Sequence, residues 1–338
     1  MTNRNNEGIP GRLRLWQILL LLLLPLVCGF VCLGIGRMQI PYGDIVRAMT
    51  GQKLGRLQDS VLWVQRMPRI LTAALVGAGL SLSGCVFQSM FSNPLATPDT
   101  LGVASGASFG AAVALLLGFH LVGVQISAFL FGFLAVALTG LSGWKRSNSR
   151  STVILGGIMI GSLFSSLVSL VKFLADTESQ LPAITYWLMG SLNASGYRSL
   201  KMAAPVILTA MVLLYLLRWR LNLLPLSEDE SRTFGTNIRA LRILCAVCAT
   251  AITASCVAMC GQVGWVGLLV PHICRMRYGS NHIALVPASV CVGSGFMILV
   301  DTMARSLSAA EIPVSILTAI IGAPMFIYML RKSGGWNL

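Results

Sequence analysis

Acidic side chains are scarce: the 338 residues include 11 Asp and Glu against 25 Lys and Arg. Charged residues of both signs make up 11% of the chain, less than half the roughly 25% usual in a soluble domain. So few charges cannot cover the surface of a soluble fold of this length, which excludes an ordinary soluble enzyme. A hydrophobic content of 55% excludes a disordered chain. What remains is a polytopic membrane protein, in keeping with a mean hydropathy of +0.78. The 34 glycines suit tightly packed membrane helices. A net charge of +14 would suggest nucleic acid in a soluble protein. Here the basic residues sit mainly between apolar runs, where they orient the chain, so no nucleic-acid partner is expected.

Catalytic signatures are also missing. No G-x-x-x-x-G-K-[ST] loop occurs, so the chain does not bind ATP through a P-loop. The three histidines, His120, His272 and His282, are scattered without an H-E-x-x-H or a Cys/His cluster, and no metal site is expected. No Ser-His-Asp elbow or strand-borne G-x-G-x-x-G is visible, which makes an integral-membrane enzyme the weakest reading. A secondary transporter would carry ionisable groups deep in its spans, and Lys172, Asp176, Asp301 and Arg305 lie near span ends. The energy source is therefore sought in a partner. The nine cysteines include i,i+4 pairs (Cys28/Cys32, Cys256/Cys260) inside apolar runs. They read as helix-packing residues.

A spanning helix needs about 20 apolar residues. Candidates are 15–36, 70–91, 100–118, 121–143, 152–175, 202–217, 240–262, 283–304 and 312–330, with a short or broken helix at 263–274. Ten segments put both termini on one side. Arg4, Arg12 and Arg14 place that side in the cytoplasm, and the alternate loops, with the N-terminal tail, hold 15 of the 25 basic residues. The exception is the outside segment 37–69, which holds six basic residues: Arg37, Arg47, Lys53, Arg56, Arg66 and Arg69. Small residues one turn apart form two stripes, Gly102/Gly106/Gly110 and Gly157/Gly161/Ser165/Ser169, which let helix backbones approach closely.

The stretch from R-M-P-R-I-L-T to P-D-T-L-G-V-A-S-G-A-S-F-G-A (66–111) resembles the FecCD-type permeases. So do G-W-V-G-L-L-V-P-H-I-C-R (264–275), D-T-M-A-R (301–305) and E-I-P-V-S-I-L-T-A-I-I-G-A-P-M-F-I-Y-M-L (311–330), in the same order. These permeases are the membrane subunits of ABC importers for iron-siderophores, haem and cobalamin. The resemblance implies an all-α integral membrane fold like that of the cobalamin permeases, with about ten transmembrane helices per subunit. It implies a single transmembrane domain over 1–338, working as a two-fold permease dimer in the bacterial inner membrane, with a homodimer favoured over a heterodimer. Two cytoplasmic ABC ATPase subunits would bind ATP and Mg, an extracytoplasmic binding protein would deliver cargo, and this chain would hold no cofactor. Membrane lipid is its surroundings. The function it implies is inward translocation of an iron chelate (siderophore or haem) or cobalamin, driven by ATP hydrolysis in a separate subunit. Because oxyanion importers share the scaffold, the sequence does not say which cargo is carried.

The resemblance also suggests roles. The inside segment 218–239 would couple to the ATPase through Ser227, Glu228, Asp229, Glu230, Ser231, Arg232, Phe234 and Gly235. Asn93 and Leu95 of S-N-P-L-A-T-P would line the cytoplasmic gate, joined by Arg150 and Ser151 at a second gating loop. His272 in P-H-I-C-R reads as a helix-terminus residue. Arg66, Arg69 and Arg305 match family arginines that receive glutamates from the two lobes of the binding protein. A planar guanidinium suits that task because it pairs bidentately with carboxylate.

Overall fold

The computed structural model describes residues 13–143, 150–226, 230, 235–308 and 310–332. Among them twelve helices occur and no strand. They are α1 (Leu15–Gly34), α2 (Tyr42–Met49), α3 (Arg56–Met90), α4 (Val103–Leu116), α5 (Leu121–Gly143) and α6 (Arg150–Leu174). The second half holds α7 (Gln180–Leu188), α8 (Tyr197–Leu216), α9 (Ile238–Cys260), α10 (Val266–Tyr278), α11 (His282–Leu307) and α12 (Val314–Lys332). Each of the ten expected segments corresponds to one helix. Seven are long and apolar enough to cross a membrane, by length and composition. The two unexpected helices, α2 and α7, are eight and nine residues long.

Three boundaries moved for visible reasons. The span expected at 70–91 begins at Arg56, because a π-helical stretch, Ser60–Arg66, carries the helix back beyond the apolar run. The span expected at 100–118 starts at Val103, where Gly102 at φ +75° separates it from a 3-10 turn, Pro98–Leu101. The short segment expected at 263–274 forms an unbroken helix from Val266 to Tyr278 with Pro271 inside. His272 therefore lies within α10 and not at its terminus. Its ring packs edge-on against Phe326 of α12, 5.5 Å between centroids, so the helix-terminus reading is corrected.

The core is central helix on central helix. In their most apolar windows α3, α9 and α11 are 83%, 78% and 67% buried, against 22–28% for α1, α5, α6 and α8. The peripheral four present their other faces outward. α3 packs on α11, α9 and α10, and α4 packs on α5 and α6. Small residues make this possible: a Cβ at Gly77 would collide with the Gly293 carbonyl of α11, and one at Gly84 with the Gly267 carbonyl of α10. In lipid, helices gain no hydrophobic drive from meeting one another, so such close van der Waals contact supplies the association. Gly106 and Gly110 bring α4 onto α5 in the same way, whereas the second stripe divides: Gly157 abuts Thr100, while Ser165 and Ser169 stay exposed. All nine cysteines are free, and all but Cys28 are buried in this packing.

Candidate functional site

Chemistry-bearing residues gather at the two ends of the bundle. At the first end α3, α11 and the link to α12 bring together Arg66, Arg69, Asp301, Arg305 and Glu311. Arg69 donates from Nε to both Asp301 carboxylate oxygens, at 2.9 and 3.0 Å, and from Nη1 to Glu311 Oε2 at 3.0 Å. Arg305, one turn beyond Asp301, lies 3.9 Å from Asp301 Oδ2 and donates to the Cys32 carbonyl at the end of α1. Arg66 donates to the carbonyls of Leu33 and Met38. The carbonyls that close α1 would otherwise lack partners, since a helix leaves its last four C=O groups unpaired.

The three arginines expected to face a binding protein are thus brought into one cluster, but they point inward. Arg66, Arg69 and Arg305 are 5%, 8% and 8% exposed. Arg66 and Arg69 lie three residues apart yet reach different helices, α1 and α11. Asp301, fully buried between Arg69 and Arg305, and Glu311 were not assigned by sequence reasoning. The available signal was an acid four residues before Arg305 in an apolar run. An acid there is retained only when paired or functional. Glu311 sits at φ +51°, a conformation that costs a non-glycine residue of order 1–3 kcal/mol. Its ion pair to Arg69 helps hold that turn.

At the opposite end α3 stops at Met90 and the S-N-P-L-A-T-P loop begins. Ser92 takes φ +49°, Asn93 Oδ1 accepts the Leu95 N–H at 2.9 Å, and the Asn93 carbonyl accepts the Ala96 N–H. Side-chain oxygen in this role mimics a backbone turn. Leu95 projects outward at 47% exposure. Asp99 then accepts the Ser105 N–H and hydroxyl at 3.2 and 3.4 Å, securing the start of α4. Burial pushes its carboxyl above the usual range, and the Ser105 bonds partly offset the rise. α6 packs on the 3-10 turn that follows the loop, so Ser151, exposed at its start, belongs to the same end; Arg150 opens that helix.

Nearby, Arg275 of α10 donates to Gln88 Oε1 of α3 at 2.9 Å, while Gln88 Nε2 lies 3.4 Å from the Gly267 and Leu268 carbonyls. Asn222 accepts the His282 N–H at 3.0 Å and donates to Asn281. Gln88, Arg275, Asn222, Asn281 and His282, with Asn93 and Pro94, line a cavity of about 700 Å³. Sequence reasoning passed over Gln88, because a lone amide in an apolar helix carries no signature. Of the coupling segment, Glu230 is exposed and Gly235 has φ +65°. Ser227, Glu228, Asp229, Ser231, Arg232 and Phe234 lie outside the described residues. The flanks are anchored: Arg242 donates to the Leu224 and Leu226 carbonyls, and Asn237 Oδ1 caps α9 through the Ala240 N–H.

No group of three or more metal-ligating side chains occurs among the described residues. The arrangement offers a braced charged end, a turn-built opposite end and close-packed spans between them.

Comparison with known proteins accords with these features. Residues 21–332 match the FecCD transport family. The molybdate import system permease MolB of Haemophilus influenzae is 45% identical over 323 residues, covering 93% of this chain and 96% of that protein. The hemin transport permease HmuU of Yersinia pestis is 32% identical over 336 residues, covering 97% and 98%. A solved inward-facing ABC transporter of metal-chelate type superposes with a TM-score of 0.86 at 43% identity, over 93% of this chain and 98% of that one.

Proposed function

Because the chain belongs to the FecCD transport family, the permease subunits of ABC importers, we propose that it forms the translocation path of a binding-protein-dependent importer whose cargo is molybdate or a closely similar oxyanion. The observation that carries the cargo is the 45% identity to a molybdate permease across almost all of both chains. An iron chelate such as haem is the second reading, favoured by the full-length match to a hemin permease at lower identity. In this proposal the permease works as a dimer of two copies, with both termini and the S-N-P-L loop in the cytoplasm. Energy comes from ATPase subunits, since no phosphate-binding loop is present in this chain.

The proposed division of labour follows the two ends. Asn93, Leu95, Arg150 and Ser151 narrow the cytoplasmic exit, and the 227–235 segment seats in the ATPase. Arg66, Arg69 and Arg305 receive carboxylates of the binding protein outside. Their burial sets a condition on that last role: an incoming carboxylate at Arg69 has to displace Glu311, the more exposed of its two acidic partners at 20% against 1% for Asp301. Glu311→Gln should then strengthen docking, read as binding-protein affinity for the complex.

The deciding experiment is uptake by the complete complex in proteoliposomes loaded with ATP, offered molybdate, haem, a ferric siderophore or cobalamin with each cognate binding protein. Molybdate accumulation that depends on ATP and the binding protein is expected. Accumulation of an iron chelate alone would replace the cargo assignment, and uptake indifferent to ATP would overturn the importer reading.

A further inference from the structure

A cleft of about 820 Å³ opens on the flank of the bundle between α1 and α8, at the end that carries the S-N-P-L loop. α1 packs on α11 and α8 packs on α9, and the gap between the two pairs is floored by Leu82 of α3. Its walls are apolar: Ile18, Leu22, Leu208, Val212 and Ile283 among them. The lining runs from Leu208 to Leu216 on α8 and from Ile283 to Cys291 on α11. Eight rises along each helix make about 12 Å, close to the roughly 15 Å hydrocarbon depth of one bilayer leaflet. The cleft thus has close to the length of one leaflet and lies between two helices that present most of their surface outward.

Its mouth is chemically different from its walls. Tyr215, Arg218 and Trp219 rim it. The Arg218 guanidinium lies 4.1 Å over the Tyr215 ring, and Arg220 lies 5.1 Å over the Trp219 ring. Tyr and Trp favour the headgroup level of a membrane, one end apolar and the other wet. Among the described residues neither Arg218 nor Arg220 has a carboxylate within ion-pair distance. One cation, Arg218, at the mouth of an apolar slot of leaflet depth, with Arg220 two residues further along the chain, calls for an occupant with alkyl chains below and one anionic group on top.

We propose that this cleft is a binding site for an anionic diacyl phospholipid of the phosphatidylglycerol type, its acyl chains between α1 and α8 and its phosphate at Arg218 and Arg220. Charge argues against the chain's own N-terminal residues as occupant, since Arg4 and Arg12 outweigh Glu7 there. A second copy fits poorly for the same reason: with 11 acids in the whole chain, it has few to offer a basic rim. A lipid bound here would close a gap that protein packing leaves open and tie α1 to the rest of the bundle. The site is independent of which cargo the permease carries.

The test uses the complete permease–ATPase complex in mixed micelles holding equal amounts of palmitoyl-oleoyl phosphatidylglycerol and the matching phosphatidylcholine, weighed by native mass spectrometry. Wild type should retain one phosphatidylglycerol per permease chain, preferred about fivefold or more over phosphatidylcholine, since each arginine near a membrane surface contributes about that factor. Arg218→Gln with Arg220→Gln should bring the preference close to parity while lipid is still retained. Val212→Trp, which fills the cleft, should lower retention of both lipids; Leu208→Phe serves the same purpose if that variant does not assemble with the ATPase. Equal retention of the two lipids by wild type would overturn the proposal, as would an unchanged preference in the double variant or unchanged retention in the filled cleft. Retention that begins only after residues 1–12 are removed would assign the cleft to the N-terminal segment and overturn it equally.

Discussion

The two ends of this bundle are built from different bonds. At the arginine end three guanidinium groups and two carboxylates meet within a largely buried volume, and Asp301 bridges Arg69 and Arg305. At the opposite end the partners are mainly neutral: an Asn side chain closing a turn, a His282–Asn222–Asn281 chain, and Arg275 resting on the amide of Gln88. Charges taken out of water are costly to separate, whereas turn and amide bonds contribute roughly 0.5–1.5 kcal/mol each and exchange readily with water. A transporter has to open somewhere. On the gate reading proposed above, the contrast would make the charged end the stiff one and the loop end the one that rearranges.

The largest effect is expected from breaking the charged end. Asp301→Ala leaves Arg69 and Arg305 without their shared carboxylate and should cost about 3–5 kcal/mol, read as a lowered thermal unfolding midpoint in detergent. Pairing it with Arg69→Met should recover part of that loss, because one of the two guanidinium groups that lost Asp301 is then removed. Arg305 still lacks it, and Glu311 loses Arg69. A double variant no more stable than Asp301→Ala would show that the pair acts through something other than charge. Gln88→Leu tests the neutral end by removing the one side-chain acceptor shown for Arg275. A loss of about 1.5–3 kcal/mol is expected, smaller than at Asp301. An equal or larger loss would erase the contrast between the ends.

Leu95 should matter for mechanism and little for stability, because it is exposed and its turn is held by the backbone and Asn93. Leu95→Asp is expected to leave assembly intact and raise the ATP hydrolysed per molecule imported. An unchanged ratio would remove Leu95 from the gate. The smallest effect belongs to Asp99, whose carboxyl burial raises above the usual value of 3.8. A carboxyl with a raised folded pKa stabilises the fold most when protonated, and stability falls as pH rises through the window between its unfolded and folded values. Asp99→Asn retains the acceptor for Ser105 and cannot ionise, so its stability relative to wild type should grow from below pH 3.8 toward neutrality. Parallel curves would mean that the ionised form is not penalised.

Much of the architecture was readable because membrane helices announce themselves by length and hydropathy. All ten segments were placed, and most boundaries fell within a few residues. α2 and α7 escaped because an amphipathic Y-G-D-I-V-R-A-M and a proline-bearing Q-L-P-A-I-T-Y-W-L are too short for a spanning signal. The start of α3 at Arg56 escaped because its first turns are π-helical and polar. At the site, the excess positive charge at 37–69 drew attention to Arg66 and Arg69, and the family resemblance added Arg305. The sequence could not say that the carboxylates paired with Arg69 stand 232 and 242 residues away.

By itself the sequence determined that this protein is an α-helical membrane protein, where its ten apolar segments lie, and that it carries no phosphate-binding loop. Hydropathy, span length and the absence of a phosphate loop are local properties that survive without coordinates. The tertiary structure alone decided that Arg66, Arg69 and Arg305 turn inward, that Glu311 is held in a strained turn by an ion pair, and that a basic-rimmed apolar cleft separates α1 from α8. Those outcomes depend on which helices pack together, set by small residues such as Gly77 and Gly293 meeting across α3 and α11. Close approach of two backbones joins positions far apart in the chain, and no local pattern records which positions they are.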